Sequence, residues 1–172
     1  ANNQVMALVR TSVNQVANAA SQRTYEANQE VTQRYRYVAT LDGKTSAICR
    51  ALDGRVFEYG KGPTPPQHFN CRSTTVPIIN YEALGIEPPP EGRRKATEGT
   101  VPGNLTYGQW LSRQSKADQT KILGNSPRRA AYFRKLSNKI GPTEAMRRFV
   151  REDGSEVTLD YLRENYGNVR TQ

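Results

Sequence analysis

Histidine and cysteine are almost missing from this chain. Its 172 residues include one histidine, two cysteines, two methionines and one tryptophan. Apolar residues make up only 35%, so a small core with much extended or partner-dependent structure is expected. No apolar run approaches the roughly 18 residues that a membrane-spanning helix needs, and no charged-then-apolar leader stretch is present. A membrane is therefore not among the expected partners. Aromatic residues, at 8%, form no stacking platform for RNA, and no complete DNA-reading motif accompanies them. The length suits one domain with a modest core. Opening on Ala1 rather than Met, the chain reads as a processed or partly ordered piece of something longer.

Positive charge, by contrast, is plentiful. The net charge is +9, and of the 25 Lys and Arg residues 9 precede residue 86 and 16 follow it. They cluster as Arg93-Arg94-Lys95, Arg128-Arg129, Arg134-Lys135 and Arg147-Arg148. Such groups suit phosphate backbones or acidic protein surfaces, and equally a solubilising face. Arg93, Arg94, Lys95, Arg128, Arg129, Arg147 and Arg148 are the candidates for non-specific DNA contact.

The pattern along the chain predicts an α+β fold. Residues 3–33 read as one long helix, with Val5, Leu8, Val9, Val13, Val16, Ala17, Ala20 and Ala27 on a 3.6-residue period. The rest of it is Asn, Gln, Ser and Thr with little charge, which predicts a helix docked against another chain. A small three-stranded α+β unit over 35–84 follows: strands at YRYVATLD, RVFEY and STTVPII, and a short helix TSAICRAL stopped by Asp53-Gly54. Pro77 marks the third strand as an edge. Residues 85–104, rich in Pro, Gly and charge, read as a linker or extended arm. A basic region of short helices occupies 105–172, with start signals at Thr106/Gln109, Ser126-Pro127, Pro142 and Thr158. The first 34 residues, the α+β unit, the linker and the basic helices are the four expected segments.

The scarce residues are not scattered. Cys49-x18-His68-x2-Cys71 places three of them on two turns joined by strands. Two sulfurs and an imidazole are the donors zinc prefers, and strand pairing can bring two such turns together. A structural site wants a fourth ligand, and Asp42, leading into the Cys49 turn, is the best candidate. Ser46 stands where a C-x2-C knuckle would carry its first cysteine, so a water or Asp42 has to complete the shell. Three other chemistries use the same residues. A Cys49–Cys71 disulfide would close a loop of roughly 22 residues and stabilise by about 3 kcal/mol, though two cysteines alone argue mildly against it. Two unlinked thiols beside a hydrogen-bonded histidine would be packing. A cysteine nucleophile with His68 as base and Asp42 as orienter would be an enzyme. His68-x2-Cys71 in one tight turn aligns poorly for proton transfer, and no enzyme is expected.

At these residues the sequence resembles the phage Mu F-like minor head proteins, also described as head morphogenesis proteins. The likeness lies in TLDGKTSAICRALDGRVFEYGKGPTPPQHFNCRSTTVP, residues 40–77. It comprises Asp42, Lys44 and Thr45, then Cys49, the ALDG of 51–54, the Pro-rich turn of 63–66, and His68, Asn70, Cys71 and Arg72 in that order. NLTYGQWLSRQSKADQTKILG, 104–124, resembles a segment that follows this domain in many such proteins. Many members carry a cysteine where this chain has Ser46. The resemblance implies a minor structural component of a tailed-phage virion, in multiple copies, near the portal or inside the head. Its implied partners are the portal, other head proteins and packaged DNA, and its implied work is head assembly, packaging or ejection. An injected effector enzyme is the rival implication.

Overall fold

The computed structural model describes residues 2–167. The chain begins with helix α1 (Asn2–Glu26), followed by strand β1 (Thr32–Val38), helix α2 (Ala47–Leu52) and strands β2 (Val56–Glu58) and β3 (Thr74–Ile79). β1 is central in an antiparallel sheet of order β2-β1-β3. Pro77 on β3 faces Tyr35 of β1 in register, and β3 is an edge, as a proline in a ladder requires. Helix α1 is shorter than its apolar period suggests. It stops at Glu26 because Val31 and Thr32 enter the sheet: Asn80 N–H donates to Val31 C=O at 2.9 Å, and Thr32 pairs with Ile79.

The composition of 85–104 suggests a linker, yet it carries a hairpin of β4 (Arg93–Ala96) and β5 (Gly99–Pro102). The hairpin is pinned from both sides. Ala96 forms a parallel bridge with Leu41, and Thr97 N–H donates to Leu41 C=O at 3.0 Å. From the other side, Trp110 Nε1–H donates to the Glu98 carboxylate at 2.9 and 3.0 Å. Proline and glycine content signalled the turns, but not these tertiary anchors, which come from distant residues.

The remaining helices are α3 (Tyr107–Arg113), α4 (Lys116–Ile122), α5 (Pro127–Ile140), α6 (Pro142–Arg148) and α7 (Leu159–Tyr166). Their caps follow the sequence closely. Thr106 and Gln109 form a reciprocal capping box on α3, Ser126 caps α5 with Pro127 at its first turn, and Thr158 caps α7. Gly108 permits close approach, because a Cβ there would collide with the backbone of Pro142 and Thr143 at the start of α6. The larger core lies here: Tyr107, Trp110, Leu111, Phe133, Leu136 and Phe149 are all buried. The sheet has only a satellite core of Tyr37, Ala39, Cys49, Leu52 and Cys71.

One carboxylate joins the two cores. Asp53, at the C-cap of α2, is 2% exposed. Its Oδ1 accepts from Ala39 N–H at 2.7 Å and from Arg94 Nη2 at 2.8 Å; its Oδ2 accepts from Tyr107 N–H at 2.7 Å. Arg94 also donates to the Ala39 and Leu105 carbonyls. Asp53 therefore does more than shape the turn that its Asp-Gly pair suggests, and Arg94, a candidate for DNA, is an interior tie. Gly54, at φ +76, completes the turn, and its N–H returns to Tyr37 C=O at 2.9 Å.

Asp53→Ala leaves the Arg94 charge buried without its partner, and the expected loss of stability is about 3–5 kcal/mol. Urea unfolding followed by Trp110 fluorescence measures it. The double variant Asp53→Ala/Arg94→Ala loses less than the sum of the singles; a shift under about 1 kcal/mol for Asp53→Ala contradicts the joint described here.

Candidate metal centre

Helix α2 and the 68–73 segment build the centre from opposite sides. Cys49 lies in the first turn of α2, whose N-cap is Ser46; the serine hydroxyl accepts from Cys49 N–H at 3.5 Å. His68 and Cys71 sit on a tight turn closed by Cys71 N–H to His68 C=O at 3.2 Å. Between them Asn70 adopts φ +57, a left-handed conformation that asparagine tolerates better than most residues. The sheet brings these turns together, since β3 starts just after Cys71 and pairs with β1.

The donor atoms converge. Cys49 Sγ is 3.3 Å from His68 Nε2 and 3.8 Å from Cys71 Sγ, and all three lie within 4.8 Å of one another. Both cysteines are buried and free, at 1% and 3% exposure, while His68 is half-buried. The histidine's other nitrogen is engaged: Nδ1 is 2.8 Å from Phe69 C=O. A carbonyl can only accept, so Nδ1 carries the proton and the Nε2 lone pair faces the sulfurs. This is the tautomer a metal ligand needs. Tyr37, fully buried, has its hydroxyl 3.3 Å from Cys49 Sγ, and burial followed by that neighbour pushes its own ionisation upward.

Without a metal the two thiols titrate as a pair. The hydrogen bond given by Cys49 lowers the Cys71 thiol below its ordinary value, against the opposing effect of burial. Cys49 is pushed upward by the same bond, and burial adds to it. The Cys–His–Cys group can thus present sulfur and imidazole lone pairs to a metal ion.

Asp42 is not part of this group. The sequence places it as fourth ligand or as the orienter of His68. In the fold its carboxylate grips Arg72 at 2.5 and 2.9 Å and accepts from Lys44 N–H at 2.9 Å. The guanidinium one residue after Cys71 offers a full charge and two parallel donors, so the carboxylate turns there instead. The orienting role for His68 falls to the Phe69 carbonyl, which no side-chain motif could reveal.

The basic candidates divide in two. Arg93, Lys95, Arg128 and Arg148 are exposed. Arg94 is half-buried and held on Asp53, Arg129 reaches Glu156 and the Val157 carbonyl, and Arg147 pairs with Glu144, which also holds Arg148 at 2.7 Å. Arg50 was not singled out by any charge cluster, yet it is buried and donates to Thr45 C=O at 2.6 Å and Ile122 C=O at 2.9 Å. Only its place inside the apolar period of α2 hinted at burial.

Fold and site together define a small α+β module drawn together by a Cys–His–Cys group and continued by packed helices. Residues 1–76 match the family described as Phage Mu protein F like protein. The match runs from α1 into β3 and includes all three donors. Neither the curated proteins nor the solved structures give a match. Among the described residues no helix is long and apolar enough to cross a membrane.

Burial acts to raise the Asp42 carboxyl, but the bonds from Arg72, Lys44 and Thr45 outweigh it and hold it below the ordinary range. A depressed carboxyl contributes stability above its unfolded pKa of about 4 and loses it as pH falls through the lower folded value. Asp42→Asn should therefore cost about 1 kcal/mol or less at neutral pH, the pair being partly exposed, and flatten the acid limb of stability against pH. Metal content, measured by elemental analysis, should stay at the wild-type level. Loss of metal in this variant restores Asp42 as a ligand.

Proposed function

We propose that the protein is a minor structural protein of a tailed-phage head, held at the portal through α1 and lying close to packaged DNA. The observation that carries this is the orientation of α1. The helix rests on the sheet through its polar side: Asn14 and Asn18 donate to Ser73 C=O at 3.1 and 3.5 Å, Gln22 to Thr75 Oγ1 at 2.9 Å, and Tyr25 to Thr75 C=O at 3.2 Å. Asn18 is its one buried residue. The apolar stripe points the other way, with Val5, Leu8, Val13 and Val16 between 57% and 69% exposed. A helix that buries amides and offers valines to water is built for a neighbouring chain. Other head proteins are that neighbour, and the portal is the one we favour.

The exposed Arg93, Lys95, Arg128 and Arg148 supply a diffuse basic surface for DNA of any sequence. We assign zinc to the Cys–His–Cys group, because thiolates and imidazole suit this borderline-soft ion better than hard cations. The role is structural and not enzymatic. Two buried sulfurs, and a carboxylate committed to Arg72 rather than to His68, favour a clip over a nucleophile with its base.

Two measurements test the proposal. Val9→Asp/Val13→Asp should change the stability of the isolated protein by about 0.5 kcal/mol or less, since both positions are exposed. Assembled heads should nevertheless lose the protein, as read by quantitative mass spectrometry of purified particles. Normal incorporation of the double variant defeats the docking role of α1. For DNA, Lys95→Ala and Arg128→Ala should each reduce the slope of log affinity against log salt by about 1. Binding that is flat with salt assigns the basic surface to an acidic protein instead.

A further inference from the structure

The first half of the polar seat of α1 falls on the residues that flank one metal ligand, while Gln22 and Tyr25 further on reach Thr75 of β3. Asn70 N–H donates to Thr11 Oγ1 at 2.9 Å, and Ser73 C=O receives Asn14 and Asn18. Cys71 lies between these two anchors. No buried apolar side chain of α1 backs up the contact. Each such hydrogen bond contributes only about 1 kcal/mol net, and only while its partners hold their geometry. The Thr11–Asn18 part of the seat therefore depends on whatever fixes residues 70–73.

The donor geometry shows what can fix them. A tetrahedral ion with Zn–S bonds of about 2.3 Å sets its two sulfurs about 3.8 Å apart. The Cys49 and Cys71 sulfurs stand at that separation, 3.8 Å. Beside Cys49 and His68 is a cavity of about 20 Å³, walled also by Thr40, Thr45, Ser46 and Ser73. One water needs about 10–15 Å³ on this measure. The cavity is polar and has room for one water, not a substrate.

We propose that a zinc ion on Cys49, His68 and Cys71, with a water from this cavity as fourth ligand, is the latch that seats α1 by fixing the 68–73 segment. The inference rests on the zinc assignment above. Binding the ion leaves both sulfurs as thiolates, with any thiol proton released to solvent; no redox partner is involved. Ser46, on the cavity wall, marks where a fourth protein ligand is missing. Ser46→Cys should supply it and slow the transfer of metal to a chromophoric chelator by about tenfold or more.

The experiment uses the whole chain. Zinc is quantified in the purified protein, cobalt is substituted for it, and trypsin cleavage is followed with and without the metal. The expected result is one metal per chain and a cobalt spectrum with sulfur-to-metal charge-transfer bands and intense tetrahedral d–d bands. Metal removal should speed cleavage at Arg10 by about tenfold before sites after residue 105 respond, since local release precedes global opening. If the metal is bound but its removal leaves cleavage of α1 unchanged, or exposes all sites together, the latch is overturned while the zinc assignment stands. A metal-free native protein, with two alkylatable thiols or with a Cys49–Cys71 disulfide, overturns both.

Discussion

The buried carboxylate of Asp53 is the joint on which the arrangement depends. It receives the Ala39 amide at the end of β1, the Arg94 guanidinium of the hairpin and the Tyr107 amide at the start of α3. Three stretches far apart in sequence meet at two oxygens. The cost of burying this charge is met by donors on every side, which is the condition for a buried ion pair to hold. Helix α2 then acts as a short lever. Its first turn carries Cys49, its interior Arg50 reaches the end of α4, and Asp53 closes it. Six residues thus link the Cys–His–Cys group on one side to the helical core on the other.

What could be read from the sequence follows the range of the forces involved. Caps at Thr106, Ser126 and Thr158 are local hydrogen bonds, so residue type and spacing reveal them. The convergence of Cys49, His68 and Cys71 was also legible, because two turns joined by pairing strands leave few other geometries. Asp42 was misplaced for a matching reason: its nearness in sequence to Cys49 was visible, but the competition from Arg72, thirty residues on, was not. Arg94 and Arg129 counted as surface charge because a charge cluster does not show which member finds a buried acceptor. The hairpin in 93–102 was hidden by its own composition, since its anchors, Leu41 and Trp110, lie outside it.

The orientation of α1 joins structure to function. Periodicity identified its apolar stripe, and the fold turns that stripe outward, so the helix belongs to two surfaces at once. Its amides bond the sheet edge while its valines face solvent. The segment from α1 to β3 is therefore less a self-sufficient domain than a bracket, with a small core of its own and a tie through Asp53 to the helices behind it. The sheet's satellite core, five buried residues with two thiols among them, is small for independent stability, which is where a metal contributes most.

The central claim is that this thiol–imidazole group is a zinc centre. X-ray absorption at the zinc edge of the purified, reduced protein tests it directly. The account predicts two sulfur scatterers at about 2.3 Å and two nitrogen or oxygen scatterers at about 2.0–2.1 Å, one the imidazole and one the water. A shell of only oxygen and nitrogen, or no zinc edge at all, contradicts it.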